Sequence, residues 1–365
     1  MIPIPQLTID LKAIQANYRL LRTKAEPADT AAVVKANAYG VDVVPIAKAL
    51  HQAGCRVFFA AYMAESLQLR EALPDVTIAP LHGIVAEEYD AALALNITPV
   101  LNALGEIENW TRFAKKKNKK LPAFIHLDTG MNRLGMPPDE QQKLIKDQGL
   151  LEGIEIKAWM SHLACAEEFD NLLTTRQRDA FKTLLAQLPP APASLCNSSG
   201  IFWGKDYVFD LARPGVAIYG VNPTPKQPNP MKGVIELKAP ILQIRHVDSG
   251  MTVGYGATHR IARKGRIATL ALGYADGYLR ALSNRGQVKI GNFLAPVAGR
   301  ISMDLITIDV SDVPDTDAHV GALATIIGEH RPVDMVAAEA GTTGYEILAA
   351  LGSRLQRHYL PAGDA

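Results

Sequence analysis

An alternation constrains this chain more than any other feature. Eight short apolar runs, separated by amphipathic stretches, fill its first two-thirds. The runs cover 31–34, 57–61, 76–81, 97–101, 123–127, 154–160, 193–196 and 209–212. Runs of four to eight apolar residues suit strands buried on both faces. Between them, stretches such as 45–52, 64–72 and 175–187 carry the 3.6-residue spacing of helices. Strands alternating with helices imply a parallel sheet with helical crossovers. Eight such units close into a barrel whose functional groups gather at the C-terminal ends of the strands.

Beyond about Pro230 the texture changes. Apolar runs at 237–247, 266–272, 288–298, 305–310 and 323–327 follow one another across Gly-rich turns, with one helical stretch at 345–355 near the end. The expectation is an α/β chain: a (β/α)8 barrel over 1–230, then a mostly β domain over 231–365. The segment from Pro223 to Pro230 holds four prolines, which block helix and central strand alike, and so makes a natural link. A chain of 365 residues is long enough to carry both parts.

Composition narrows the function classes. With 38 Lys and Arg against 37 Asp and Glu, the chain lacks the basic excess of a nucleic-acid binder. The basic run Lys115 to Lys120 reads as a solvated helix end. Cys55, Cys165 and Cys196 have no disulfide or metal spacing and read as small buried side chains. Nothing resembles a secretory signal or a membrane span, so a cytoplasmic location is expected. His126, His162 and Asp128 are not spaced as metal ligands, and no metal is expected.

Several polar clusters fall where a barrel would place its chemistry. Lys35 ends the first run in Val33-Val34-Lys35-Ala36-Asn37-Ala38-Tyr39-Gly40. A lysine against apolar walls loses charge and becomes a nucleophilic amine, as condensation with a carbonyl cofactor requires. A lysine ending a strand is more often simply solvated. His126-Leu127-Asp128-Thr129-Gly130-Met131-Asn132-Arg133 follows the fifth run, and Arg133 offers a fork for a carboxylate, although a capping turn would look the same. Cys196-Asn197-Ser198-Ser199-Gly200 and Arg213-Pro214-Gly215-Val216 follow the seventh and eighth runs. Loops in those two places recurrently bind phosphate. The Ser198 hydroxyl and the Gly215 and Val216 amides suit that task, with Arg213 deeper in the barrel. The β domain adds Tyr255 in G-Y-G-A-T, Tyr274 in G-Y-A-D-G, and Met303 and Asp304 in R-I-S-M-D. Each of these also reads as an ordinary turn.

In this order, from about residue 5 to residue 359, the clusters resemble the alanine racemase family. The resemblance implies pyridoxal phosphate carried on Lys35, with Tyr255 as the opposing acid/base. It sets Tyr39 and Tyr345 near the cofactor phosphate with Ser198, Gly215 and Val216, and it sets Arg213 at the cofactor ring. His162 either orients Arg213 or is a core histidine. Arg133, Tyr274, Met303 and Asp304 would contact the substrate. The family further implies a homodimer in which Tyr255, Tyr274 and Met303 serve the partner's site. Lys35 then serves the D face of alanine and Tyr255 the L face. The activity would supply D-alanine for peptidoglycan or catabolise it.

Two departures stand out. Many relatives have a carbamylated lysine where this chain has His126, so Arg133 must be steadied by something else: an anion, water or the imidazole. Many relatives also have His-Gly where this chain has Val41-Asp42. The competing readings are a racemase of serine or lysine, a barrel decarboxylase, and a non-enzymatic pyridoxal-phosphate carrier. A carrier has no need of the β domain or Tyr255.

Overall fold

A computed structural model describes residues 4–363. The eight apolar runs form eight parallel barrel strands in chain order. The first is the broken pair Asp29–Thr30 and Ala32–Val33, followed by Val57–Ala60, Thr77–Pro80, Val100–Leu101, Leu121–His126, Ile154–Met160, Ala193–Ser194 and Leu211–Ala212. The last strand pairs in parallel with Asp29–Thr30 and closes the ring. Between the third and fourth strands the link is the Ile78–Ile97 bridge. The helices Val43–Gln52, Met63–Ala72 and Leu172–Leu185 lie close to where apolar spacing predicts them.

The basic run ends the helix Leu104–Lys117, where Asn118 caps in the left-handed conformation. Lys117 pairs with Asp90 and Lys115 with Glu152, both at the surface. Cys55 and Cys196 are buried as expected, but Cys165 is only half-buried in the loop after the sixth strand.

The mostly β part is built on the long strand Ile235–Val247, which pairs antiparallel with Leu323–Ile327 and with Gly265–Leu270. The same strand also pairs with Gln6–Asp10, which in turn pairs in parallel with Gln356–Leu360. The chain therefore starts in this sheet before the helix Leu11–Ala25 leads into the barrel. The C-terminal helical stretch is shorter than 345–355: the helix is Gly344–Ala349, preceded by Val333–Ala340. Gly352 lies too close to the Ala275 carbonyl and Asp276 to carry a side chain, and the chain turns there into its last strand. One continuous apolar core joins both parts, from Leu7 and Ile14 through Phe59 and Phe124 to Leu270 and Ile308. No helix among the described residues is long and apolar enough to cross a membrane.

Candidate active site

A cavity of about 630 Å³ opens at the C-terminal ends of the barrel strands. Nine residues singled out from sequence line it: Lys35, Tyr39, Arg133, His162, Ser198, Arg213, Gly215, Val216 and Tyr345. They come from the first, fifth, sixth, seventh and eighth strand ends and, for Tyr345, from the helix Gly344–Ala349.

Lys35 begins an unusual segment. Ala36, Asn37, Ala38 and Tyr39 all have φ between 52° and 55°, a left-handed turn of four L-residues. Such geometry costs roughly 1–2 kcal/mol per residue and persists only where its surroundings enforce it. Several contacts do so. Glu65 accepts the Ala36 amide at 2.7 Å, Asn37 accepts the Val43 amide at 2.9 Å, and Arg357 donates to the Gly40 carbonyl at 3.0 Å. The Gly40 backbone meets the Leu348 carbonyl so closely that no Cβ fits. Asp42 also has a positive φ of 80° and is tied by its carboxylate to the Tyr359 hydroxyl.

Burial lowers the pKa of the Lys35 amine, and the charge on Arg133 lowers it further, while Glu65 opposes both. A lysine in this condition is a usable nucleophile and base. The same cavity is lined by Ser198, Gly215 and Val216 from the loops after the seventh and eighth strands. The Gly215 and Ala217 amides converge on Ser198 Oγ at 3.0 and 3.2 Å. A Cβ on Gly215 would overlap the Tyr39 hydroxyl, so only glycine leaves the backbone open here. Tyr39 stands 4.7 Å from the Tyr219 ring and 6.3 Å from the Tyr345 ring, walling one side.

Arg213 is deep in the barrel and only 4% exposed. One end of its guanidinium donates to Ser194 Oγ and the other to the Ser161 carbonyl at 2.6 Å. Its orientation is thus fixed by Ser161 and Ser194, with no hydrogen bond from His162. Burial pushes its pKa down to about 10, which leaves it charged at neutral pH. His162 is held well below 6.5 by burial and then by Arg213, and stays neutral.

His126 has a defined tautomer. Asn102 spends its amide hydrogens on the Leu81 and Val100 carbonyls, both at 3.2 Å, so its oxygen faces His126 Nδ1 at 2.8 Å. Nδ1 therefore carries the proton, and burial and Arg213 push the imidazole pKa down to about 4. What the His126 position offers Arg133 is an uncharged nitrogen, Nε2, with a lone pair. Asp128 accepts the amides of Gly130, Met131 and Asn132, each at 2.9 Å, and so fixes the loop that carries Arg133.

Tyr255, Tyr274, Met303 and Asp304 do not reach this chain's cavity. Tyr255 is 72% exposed in a tight turn between Gly254 and Gly256, both at positive φ. Tyr274 and Met303 are 44% and 53% exposed and lie side by side, for the Tyr274 turn bonds to the Ser302 and Met303 carbonyls. Asp304 is paired with Arg354 at 2.8 Å, and Arg354 also holds the buried Asp276. Sequence reasoning missed Glu65, Asn102, Ser161, Ser194 and Arg354. Glu65, an acid in the first turn of a predicted helix, carried a readable capping signal. The partners of the other four are set by tertiary packing.

A half-buried lysine at a barrel mouth, sharing one cavity with a serine–glycine loop pair and a buried arginine, suits a phosphate-bearing carbonyl cofactor and an amine substrate. Comparison with known proteins makes the class specific. Family models of the alanine racemase N-terminal and C-terminal domains match residues 9–223 and 234–359. An alanine racemase from Rickettsia akari is 45% identical over 355 residues, covering 97% of this chain and 98% of that protein. The crystal structure of alanine racemase from Bartonella henselae with covalently bound pyridoxal phosphate superposes with a TM-score of 0.95 at 44% identity, covering 98% of this chain and 100% of that one. Biosynthetic alanine racemase from Pseudomonas aeruginosa gives a TM-score of 0.92 at 34% identity, covering 99% and 100%. The chain belongs to the alanine racemase family.

Proposed function

We propose that this protein interconverts L-alanine and D-alanine with pyridoxal phosphate carried on Lys35, as a homodimer whose two sites are each built from both subunits. The observation that carries the reading is Lys35, with its lowered pKa, sharing one cavity with Ser198 and Gly215. The residues fit the cofactor: a nucleophilic amine, a glycine-walled loop with the Ser198 hydroxyl for a phosphate, and the buried cation Arg213 in the same cavity. When bound, pyridoxal phosphate acidifies the Cα–H of the substrate amine.

Everything else falls to the chain's own side chains. Lys35 holds or takes the proton on one face of Cα, and Tyr255 from the partner does so on the other. Tyr255 sits on a tight turn, exposed and outside its own cavity, as a group serving a neighbouring subunit must. Tyr274, Met303 and Asp304 share that outer face, with Asp304 set by Arg354. Arg133 supplies the cation for the substrate carboxylate. Arg213 stays protonated and bonded to Ser194 and Ser161, and so strong a base would not pass its proton to the weakly basic ring nitrogen of a bound cofactor. An arginine there favours proton exchange at Cα over transamination. The cytoplasm, where free alanine circulates, is the expected compartment.

The test is direct. Borohydride treatment of the purified protein should fix the cofactor to Lys35, as mass mapping of the peptide would read, and untreated protein should racemise alanine. Cofactor fixation with racemisation of serine or lysine alone would move the substrate. No fixation after reconstitution would end the proposal.

A further inference from the structure

We propose that Glu65 is the positioning residue that holds Lys35 in working geometry, by tying together the ends of the first two barrel strands. The inference rests on the functional reading above and adds a residue to it. Glu65 lies in the first turn of the helix Met63–Ala72. One carboxylate oxygen accepts the Ala36 amide and the other accepts the Ala61 amide, each at 2.7 Å. Ala36 directly follows Lys35, and Ala61 directly follows the strand Val57–Ala60. A single carboxylate thus clamps the residue after the catalytic lysine to the neighbouring strand end.

The clamp matters because of what it restrains. Ala36 opens the four-residue left-handed turn, a conformation that relaxes unless it is pinned. Asn37, Gly40 and Arg357 pin its far end, and Glu65 alone among the described side chains bonds the near end, where Lys35 is attached. The same carboxylate is the acidic group acting on the Lys35 amine, against Arg133 on the loop after the fifth strand; His162 after the sixth is neutral. Glu65 therefore sets both where the amine stands and the negative charge it feels. A helix-capping carboxylate would need to do neither.

Glu65→Gln and Glu65→Ala in the full-length holoenzyme separate these roles. A glutamine has one acceptor oxygen and must abandon one amide; alanine abandons both. A charge-assisted hydrogen bond is typically strong enough for its loss to change a rate roughly tenfold to a hundredfold. We expect kcat to fall within that range in Glu65→Gln, more in Glu65→Ala, with KM for alanine nearly unchanged. The deuterium isotope effect from Cα-deuterated alanine should rise for the D enantiomer, whose proton Lys35 takes, and not for the L enantiomer. Hydrogen exchange over 35–40 should quicken at least tenfold while the other barrel strands keep their protection.

A lower melting temperature with unchanged kinetics and isotope effects would make Glu65 a helix cap only and overturn the proposal. So would faster exchange that leaves kcat and both isotope effects untouched. Faster exchange in both variants, in a wild-type protein that does not racemise alanine, would uphold the clamp while defeating the functional reading.

Discussion

The two halves of the candidate site differ in how finished they are. The barrel half is complete within one chain: Arg213 and Ser198 are almost wholly buried, and their bonding partners all lie within the barrel. In the β-domain half, Tyr255, Tyr274 and Met303 stand exposed on tight turns. On the proposed reading, a single subunit would hold the cofactor but supply only one of the two acid/base groups. Two groups on opposite faces of a planar adduct must approach from opposite directions. In the proposed dimer, the barrel mouth would supply one direction and the partner subunit the other.

The largest effect should come from separating the halves. Lys35→Ala and Tyr255→Ala, each alone, should lose at least ~1,000-fold in kcat, because each removes a proton carrier that water replaces poorly. Tyr255 is exposed, so its loss should leave the fold intact. Co-refolding the two inactive proteins in equal amounts should restore about a quarter of the wild-type sites, since half the dimers are mixed and each has one intact site. No recovery, with mixed dimers demonstrated, would put Tyr255 in the same subunit's site and break the comparison.

The barrel half was also the more legible in sequence. Eight apolar runs became eight strands because most of their residues are buried in the barrel and need little else to specify them. The polar residues at their ends then shared one rim by geometry alone, which brought Lys35, Arg133, Ser198 and Arg213 together. In the β half, long-range pairing decides the outcome. Gln6–Asp10 gives no sign that its partners are Ile235–Val247 and Gln356–Leu360, more than 200 residues away. Nor does the predicted stretch 345–355 reveal that close packing at Gly352 ends its helix early. The bonds that aim each group were invisible too. Nothing local says that Asn102 reads His126 or that Ser161 and Ser194 aim Arg213.

A middling effect should sharpen the role of the barrel floor. Arg213→Glu puts an acid where a fixed cation stood, so the cofactor ring can be protonated and becomes a stronger electron sink. Racemisation should fall roughly 100-fold, and pyruvate should appear slowly as alanine transaminates. The substitution also buries a carboxylate against Ser194 and the Ser161 carbonyl, so its stability must be checked by melting. An Arg213→Glu protein that is folded, carries the cofactor and shows unchanged partition between racemisation and transamination would remove the argument that this arginine selects the reaction.

The smallest effect concerns His126, where the chain departs from many relatives. A carbamate would bring a negative charge to Arg133, but the geometry here supplies a neutral imidazole with Nδ1 bonded to Asn102. Bicarbonate should therefore leave activity unchanged. The titration has a definite sign. The folded pKa is pushed down to about 4, below the ordinary value of 6.5, so in acid the unfolded chain binds a proton that the folded one refuses. Stability is then fully present above about pH 6.5 and is lost as pH falls from there toward 4, by on the order of 3 kcal/mol from this residue. His162, also depressed, adds to the same slope. Replacing His126 by glutamine, which does not titrate, should flatten the melting temperature against pH across that window and leave it nearly unchanged above pH 7. A melting profile equally steep in His126→Gln would mean that the folded imidazole takes up its proton in acid as readily as the unfolded one. Arg133 would then face a second cation and would need an anion between them after all.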